Sequence, residues 1–450
     1  MRILSLIVLL FAASFSPQPA SAGTADADLP PLSPLTPPPE PTIAVPTASN
    51  YAPTLLIYLA RGPADACGAG CDRWIAIEGN IDRAAAVRVS AFLRETKDTR
   101  LPIYFQSPGG EVEPSLEIGR LLRNRKAIGR VGKTVAALCS GGTQIDEACL
   151  RIKAGSNAID AKLVTENAMC SSACVYMLLG ATAREVAPDA GLGVHDSKMF
   201  LRSKQQLTKQ ERDQALERMM VRGRRELASF TSAMGIDAGL LELIRSVPFE
   251  KAHLLTRSEL YRFGIDRRSF VQTPWNVVML PKAHLRKKAV IRNADGTFVP
   301  LEWQLHCTTQ VRGNLMFARE IGAGSARATQ MTLQAEADQP KAFSAFLPIL
   351  GKVEAWHVSF SEADVTRWAA APVLKTAANT TKDGNVAQWG VDIDTLGLDE
   401  GWKLLTAVCP RERVVPPPPK PVTAPATGFN LPSNRPKTID WPDPQKYISR

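Results

Sequence analysis

The chain has 450 residues, of which 45% are hydrophobic and 22% charged, and its net charge is +10. That length accommodates two or three domains with cores of their own, and the composition is that of a globular protein, not a fibrous or wholly disordered one. The positive balance is no pointer to nucleic acid, because no arginine-rich face or basic–aromatic motif accompanies it; outside the cytoplasm it suits anionic surfaces or solubility.

The N-terminus comes first. Arg2 precedes the apolar run ILSLIVLLFAASF and then PQPASAG. A basic start, a short apolar stretch and an A-x-A site predict a signal peptide over residues 1–22, cleaved after Ala22. The run is too short to read as a membrane span, and no later stretch reaches 18 apolar residues. The protein is therefore expected to be periplasmic or secreted. In an oxidising compartment the eight cysteines read as disulfides. Their order suggests Cys67 with Cys71, Cys139 with Cys149, Cys170 with Cys174 and Cys307 with Cys409, one of about 105 connectivities. The C-x3-C spacing is wrong for a zinc knuckle and no histidine sits in a ligand run; neither metal nor cofactor is expected.

Residues 23–50 form a proline-rich linker. From Tyr51 to residue 273 strand and helix patterns alternate. RWIAIEGNI reads as a strand, RAAAVRVSAFLRE as a helix, LPIYFQ as a strand running into SPGG, and EVEPSLEIGRLLRN as a helix. This βαβα order predicts an α/β fold, a parallel sheet with crossover helices. Farther on, residues 203–235 read as a long charged amphipathic helix ended by Gly235. The texture changes near Pro274. Residues 274–410 carry short β-rich runs (WNVVML, KAVIRN, LEWQLHC, ATQMTLQAE, VEAWHVSFS, AQWGVDI, WKLLTAVC) separated by turn signals, as in a small β-sandwich or mixed domain. Residues 411–450 form a proline-rich tail expected to be disordered.

Three segments carry chemistry. In QSPGGEV, Gly109 and Gly110 let the backbone turn sharply and expose N–H groups able to stabilise an oxyanion; a plain strand-to-helix turn is the commoner use of such a triplet. In the C-S-S-A-C box, Cys170 to Cys174, Ser171 and Ser172 lead an apolar helix whose positive end favours an oxyanion beside the next N–H; N-capping is the ordinary alternative. His195 follows the short strand GLGV, and a lone histidine is usually structural.

SPGG, then a serine leading an apolar helix, then a P…H segment is an order that resembles the Clp-type serine proteases of the Clp/crotonase superfamily. LLTRSELYRFGID, Leu254 to Asp266, resembles the family's SxxEAxxYGxxD segment. The resemblance spans roughly residues 55–270 and is nearest to exported, cysteine-rich members, described as predicted periplasmic proteins. It implies a repeated ββα superhelix with a β-rich appendage. It assigns Ser172 as nucleophile with Ser171 as runner-up, and His195, seven residues after Pro188, as general base. Oxyanion donors would be the N–H groups of Gly109 and Ala173, with Gly110 contributing. Self-association into rings or trimers is a further implication.

Two departures stand against that pattern. The acid expected four residues before Thr256 is replaced by Ala252; Glu250 is the nearest carboxylate, with His253 adjacent to the vacant position. Residues 139–167 insert a segment that reads as a disulfide-tied loop able to cap the cleft or alter stacking of subunits. Three functions are compatible. An exported serine peptidase would cut peptides or unfolded segments without an ATPase partner. A non-catalytic Clp-fold scaffold or binding protein would act through its C-terminal domain. A crotonase-like acyl-transfer enzyme would need an acyl-CoA that is scarce outside the cytoplasm.

Overall fold

The computed structural model describes residues 42–44, 51–139, 143–155, 157–199, 201, 208–321, 328–336, 338–345, 352–382 and 385–411. The expected signal peptide, most of the linker and, but for Arg411, the tail lie outside the described residues. The chain up to Pro410 forms one compact unit, with separate apolar cores in its first and last parts.

The first part contains, in order, β1 (Thr42–Ala44), β2 (Leu56–Arg61), β3 (Arg73–Glu78), α1 (Ala85–Glu95), β4 (Ile103–Gln106), α2 (Val112–Asn124), β5 (Ile128–Val131) and β6 (Lys133–Ala136). It continues with α3 (Glu147–Lys153), β7 (Ile159–Val164), β8 (Met169–Ser171), α4 (Ala173–Gly180), β9 (Ala183–Glu185), β10 (Gly191–Val194), α5 (Lys209–Ala233), α6 (Gly239–Ser246), β11 (Lys251–Leu254) and α7 (Arg257–Arg262). One sheet runs β6-β7-β2-β3-β4-β5-β9, parallel from β3 to β9; a second runs β1-β11-β10-β8, with β8 and β10 parallel.

The larger sheet is apolar on both faces, which is why β3 reads as a nearly unbroken hydrophobic run. Alternate residues enter different cores. Ile75, Ile77, Ile103 and Phe105 pack under the helices, whereas Trp74, Ala76 and Tyr104 face the opposite side with Cys139, Cys149, Ile159 and Ala161. The insertion is thus no simple loop. It supplies α3 and β7, and it exists as structure because that second apolar face requires cover. Buried on every side, α4 crosses α2 very closely: a Cβ on Gly180 would stand 2.1 Å from the Gly119 carbonyl oxygen.

The last part contains β12 (Phe270–Gln272), β13 (Asn276–Val278), β14 (His284–Arg292), β15 (Phe298–Thr309), β16 (Arg312–Glu320), β17 (Ala328–Ala335), β18 (Lys341–Ala342), β19 (Ser344–Ala345) and β20 (Val353–Ser361). It closes with α8 (Glu362–Ala370), β21 (Val373–Lys382), β22 (Asn385–Asp394) and α9 (Leu398–Thr406). Its strands pair antiparallel in two sheets, β12-β14-β15-β16-β20-β19 with β13 on β14, and β18-β17-β21-β22. Trp303 Nε1 donates to Thr376 Oγ1 at 3.2 Å, joining the two sheets through the core. Pairing begins at Phe270, just before the change of texture at Pro274. WKLLTAVC, grouped with the β-rich runs, is largely helical: Leu398, Trp402 and Leu405 recur at helical spacing and all three are buried, so period 3.6 prevails over composition.

Four disulfides join Cys67–Cys71, Cys139–Cys149, Cys170–Cys174 and Cys307–Cys409. Among the described residues no helix is long and apolar enough to cross a membrane.

Candidate active site

Parallel pairing of β8 with β10 sets the geometry. Ser171 lies opposite Gly193, so Ser172 and His195 follow at the same, C-terminal ends of two neighbouring strands. The Ser172 N–H donates to the Gly193 carbonyl at 2.7 Å, and its own carbonyl accepts from Val175 N–H at 3.0 Å as α4 begins. Between strand and helix Ser172 adopts φ 55° and ψ −126°, a left-handed conformation that serine rarely takes and that costs on the order of 1–3 kcal/mol. A sharp, strained strand-to-helix turn of this kind lifts the side chain clear of both elements. Ser171 differs. It is 1% exposed, and its Oγ lies so close to Gly193 that a Cβ there would be 2.8 Å away.

The SPGG turn closes on the same point. Gly109 has φ 106°, and an added Cβ would stand 2.6 Å from Ser172 Cβ and 3.0 Å from Ala173 N. Gly110, at φ 140°, leaves no room either, its Cβ position lying 2.2 Å from the Ile81 carbonyl oxygen. Only glycine fits either place. Of the three expected oxyanion donors, the Gly109 N–H is engaged, donating to Ser107 Oγ at 3.1 Å. Among the described residues, the N–H groups of Gly110 and Ala173 have no acceptor, Ala173 because the first N–H of a helix lacks an intrahelical partner. The Cys170–Cys174 disulfide spans the whole turn, both sulfur-bearing residues being fully buried.

His195 is buried, and its Nδ1 hydrogen-bonds the Asp196 carbonyl at 2.7 Å. A carbonyl only accepts, so Nδ1 carries the proton and Nε2 is left as the basic nitrogen. Phe249 packs edge-on to the ring, centroids 5.0 Å apart. Nothing in the sequence pattern marked Phe249, which reaches the ring only through the chain reversal between α6 and β11. Glu250 is exposed and ion-paired with Lys198. The Lys198 ammonium holds the Glu250 carboxyl below its ordinary range, with His195 adding a smaller contribution through space. His253 instead bonds the Glu259 carboxylate at 2.9 Å, and Glu259 also closes the capping box of α7 with Thr256. Among the described residues no hydrogen bond joins the Ser172 hydroxyl to His195, or Glu250 to His195. No group of three or more His, Cys, Asp or Glu among them is arranged to hold a metal ion.

No family model matches the chain, and no curated protein does. Among solved structures it is similar to a point mutant of ClpP1 from Listeria monocytogenes, with 16% identity over 48% of this chain and 89% of that one and a TM-score of 0.27. It is similar also to a point mutant of a membrane-bound stomatin-specific protease, with 13% identity over 42% and 73% and a TM-score of 0.26. A third, invasion associated protein b from Bartonella henselae, shares 12% identity over 31% and 91% with a TM-score of 0.23. Likeness of this degree carries no argument about activity.

Proposed function

We propose that the protein is an exported serine peptidase of Clp-like fold, acting on peptides or unfolded segments without an ATPase partner. One observation carries this reading: Ser172, on a strained turn, and His195 directly follow the ends of adjacent parallel strands, with the SPGG turn pressed against the serine. In the reaction, Ser172 Oγ attacks the scissile carbonyl and passes its proton to His195 Nε2. The negative charge that develops on the carbonyl oxygen is met by the N–H groups of Ala173 and Gly110, which are fixed and unengaged, as such stabilisation requires. Gly109 joins them if Ser107 releases its N–H. His195 then protonates the leaving amine, and water, activated by the same ring, hydrolyses the acyl-enzyme. The Asp196 carbonyl fixes the tautomer, the task an acid performs in triads, while Glu250 acts on the ring only electrostatically. The Ser–His contact tightens on substrate binding, as is common where the free site is loose. The four disulfides accord with export, and self-association accords with the resemblance.

A non-catalytic scaffold is the second reading, favoured by the commitment of Glu250 to Lys198. Labelling with a fluorophosphonate probe separates the two. Wild type and Ser171→Ala are expected to label; Ser172→Ala and His195→Ala are not. Folded wild-type protein that does not label would leave the scaffold reading in place.

A further inference from the structure

A cavity of about 350 Å³ lies at the C-terminal ends of β3 and β4 of the larger sheet, where ligands of open α/β sheets bind. Its size is that of a small ligand site. Glu78 and Gln106 contribute from the ends of β3 and β4, Lys133 from β6, Gln144 and Lys153 from the insertion, and Asn167 from the turn before β8. Gln106 and Asn167 tie the cavity to the serine. Gln106 Oε1 accepts from the Met169 N–H at 2.8 Å, and the next residue, Ser107, pairs with β8 on both sides, donating to the Met169 carbonyl and accepting from the Ser171 N–H. A group held in the cavity is therefore held against the strand that leads into Ser172.

The charges decide what that group is. Lys153, 1% exposed, spends its ammonium on Glu78 at 2.6 Å and on the Gln144 carbonyl at 3.0 Å. That pair is self-neutral. Outside the cavity, Glu166 is ion-paired with Arg286 of β14, and burial pushes the Asp189 carboxyl up against smaller opposing effects of Thr165 and the Lys288 ammonium. Lys133 faces Glu166 and Asp189 only through space and forms no ion pair among the described residues. It is half-buried, and that burial pushes its pKa down against the opposing, weaker pull of Glu166 and Asp189. Lys133 is thus the cation of the cavity wall that enters no direct ion pair among the described residues, whereas Lys153 is spent on Glu78. The Gln106 amide oxygen is bound to Met169, and its NH₂ serves the Tyr51 hydroxyl in the same wall, so that an anion there would meet the donors of this pair.

We propose that this cavity binds a carboxylate of the substrate, either an acidic side chain or a free C-terminus, with Lys133 as counter-ion and Gln106 as donor. Lys133 is then a specificity-determining residue, supplied by the strand that leads into the inserted segment. The proposal rests on the peptidase reading, so its test keeps the two apart. Wild type, Lys133→Gln and Lys133→Glu are compared for fluorophosphonate labelling and for cleavage of matched peptides. Asp is exchanged for Asn or Lys at each position in one arm; a C-terminal acid is exchanged for its amide in the other.

The expected result is labelling within about twofold of wild type in both variants, with a wild-type preference of tenfold or more for the carboxylate in one arm. That preference disappears in Lys133→Gln and turns toward Lys in Lys133→Glu. The responding arm identifies the source of the carboxylate. Variants that label normally and keep the wild-type charge preference, or a wild type with no preference, overturn the proposal. If wild type does not label, the peptidase reading has failed, and binding of the same peptides to Ser172→Ala protein is measured by anisotropy. Carboxylate-dependent binding lost in Ser172→Ala/Lys133→Gln then supports the cavity by itself, and binding indifferent to charge refutes it.

Discussion

Removing the Cys170–Cys174 disulfide tests whether the covalent tie holds the serine in its reactive conformation. The molecule carries its own control, because Cys67–Cys71 has the same sequence separation of 4 and lies outside the turn that bears Ser172. In the chain-entropy account, closing so short a loop stabilises by about 2 kcal/mol, whichever pair is considered. Replacing either pair by alanines is thus expected to cost about that much in global stability. The difference lies in the native state. Ser172 sits at φ 55°, which stores roughly 1–3 kcal/mol of strain, and the disulfide bridges the residues on either side of it. Without that bridge the turn relaxes toward unstrained conformations. At 1.4 kcal/mol per factor of ten, the reactive population falls by about fivefold to about a hundredfold. The assay is the second-order rate of fluorophosphonate labelling, read beside denaturant melts of wild type, Cys170→Ala/Cys174→Ala and Cys67→Ala/Cys71→Ala. Equal labelling rates in the two variants would refute the reasoning, since the strain would then be held by packing alone.

Gly109→Ala is expected to abolish labelling and to destabilise by roughly 2–5 kcal/mol, because a Cβ at φ 106° would meet Ser172 Cβ at 2.6 Å; labelling at the wild-type rate would show that the turn and the serine move independently. In the C-terminal part, burial chiefly, with nearby His284 and Lys282, lowers the pKa of His306 from 6.5 to about 4. Between those values the unfolded chain binds the proton and the folded one does not, so stability is full above the upper value and is lost as pH falls toward the lower. The loss is about 3 kcal/mol, and the difference between wild type and His306→Gln in denaturant melts at neutral and acid pH should disclose it. Parallel slopes would refute it.

Much of the fold was legible because local periodicity decides it. LPIYFQ, with its apolar alternation, and the helix after SPGG fall where the pattern puts them, at Ile103–Gln106 and Val112–Asn124. The long charged helix stops before Gly235, whose φ is 70°. The insertion was illegible for the opposite reason: its strand and helix are short, and their order comes from covering Trp74, Ala76 and Tyr104, on strands distant in sequence. WKLLTAVC misled because so short an apolar run suits a strand or a buried helix equally well.

The candidate site divides in the same way. Residue type and spacing single out SPGG, the serines of the cysteine box and His195, because a tight turn, a helix start and a strand end are local events. Which serine is accessible is not local. Ser171 and Ser172 are chemically identical neighbours, and only the pairing of β8 with β10, which buries one and turns the other out, separates them. The surroundings of Phe249, Glu250 and Lys133 likewise depend on segments that meet only after folding. By itself the sequence determined the elements and the chemical groups they carry; the tertiary structure decided which of those groups face one another, because burial and ion pairing are properties of contacts between distant parts of the chain.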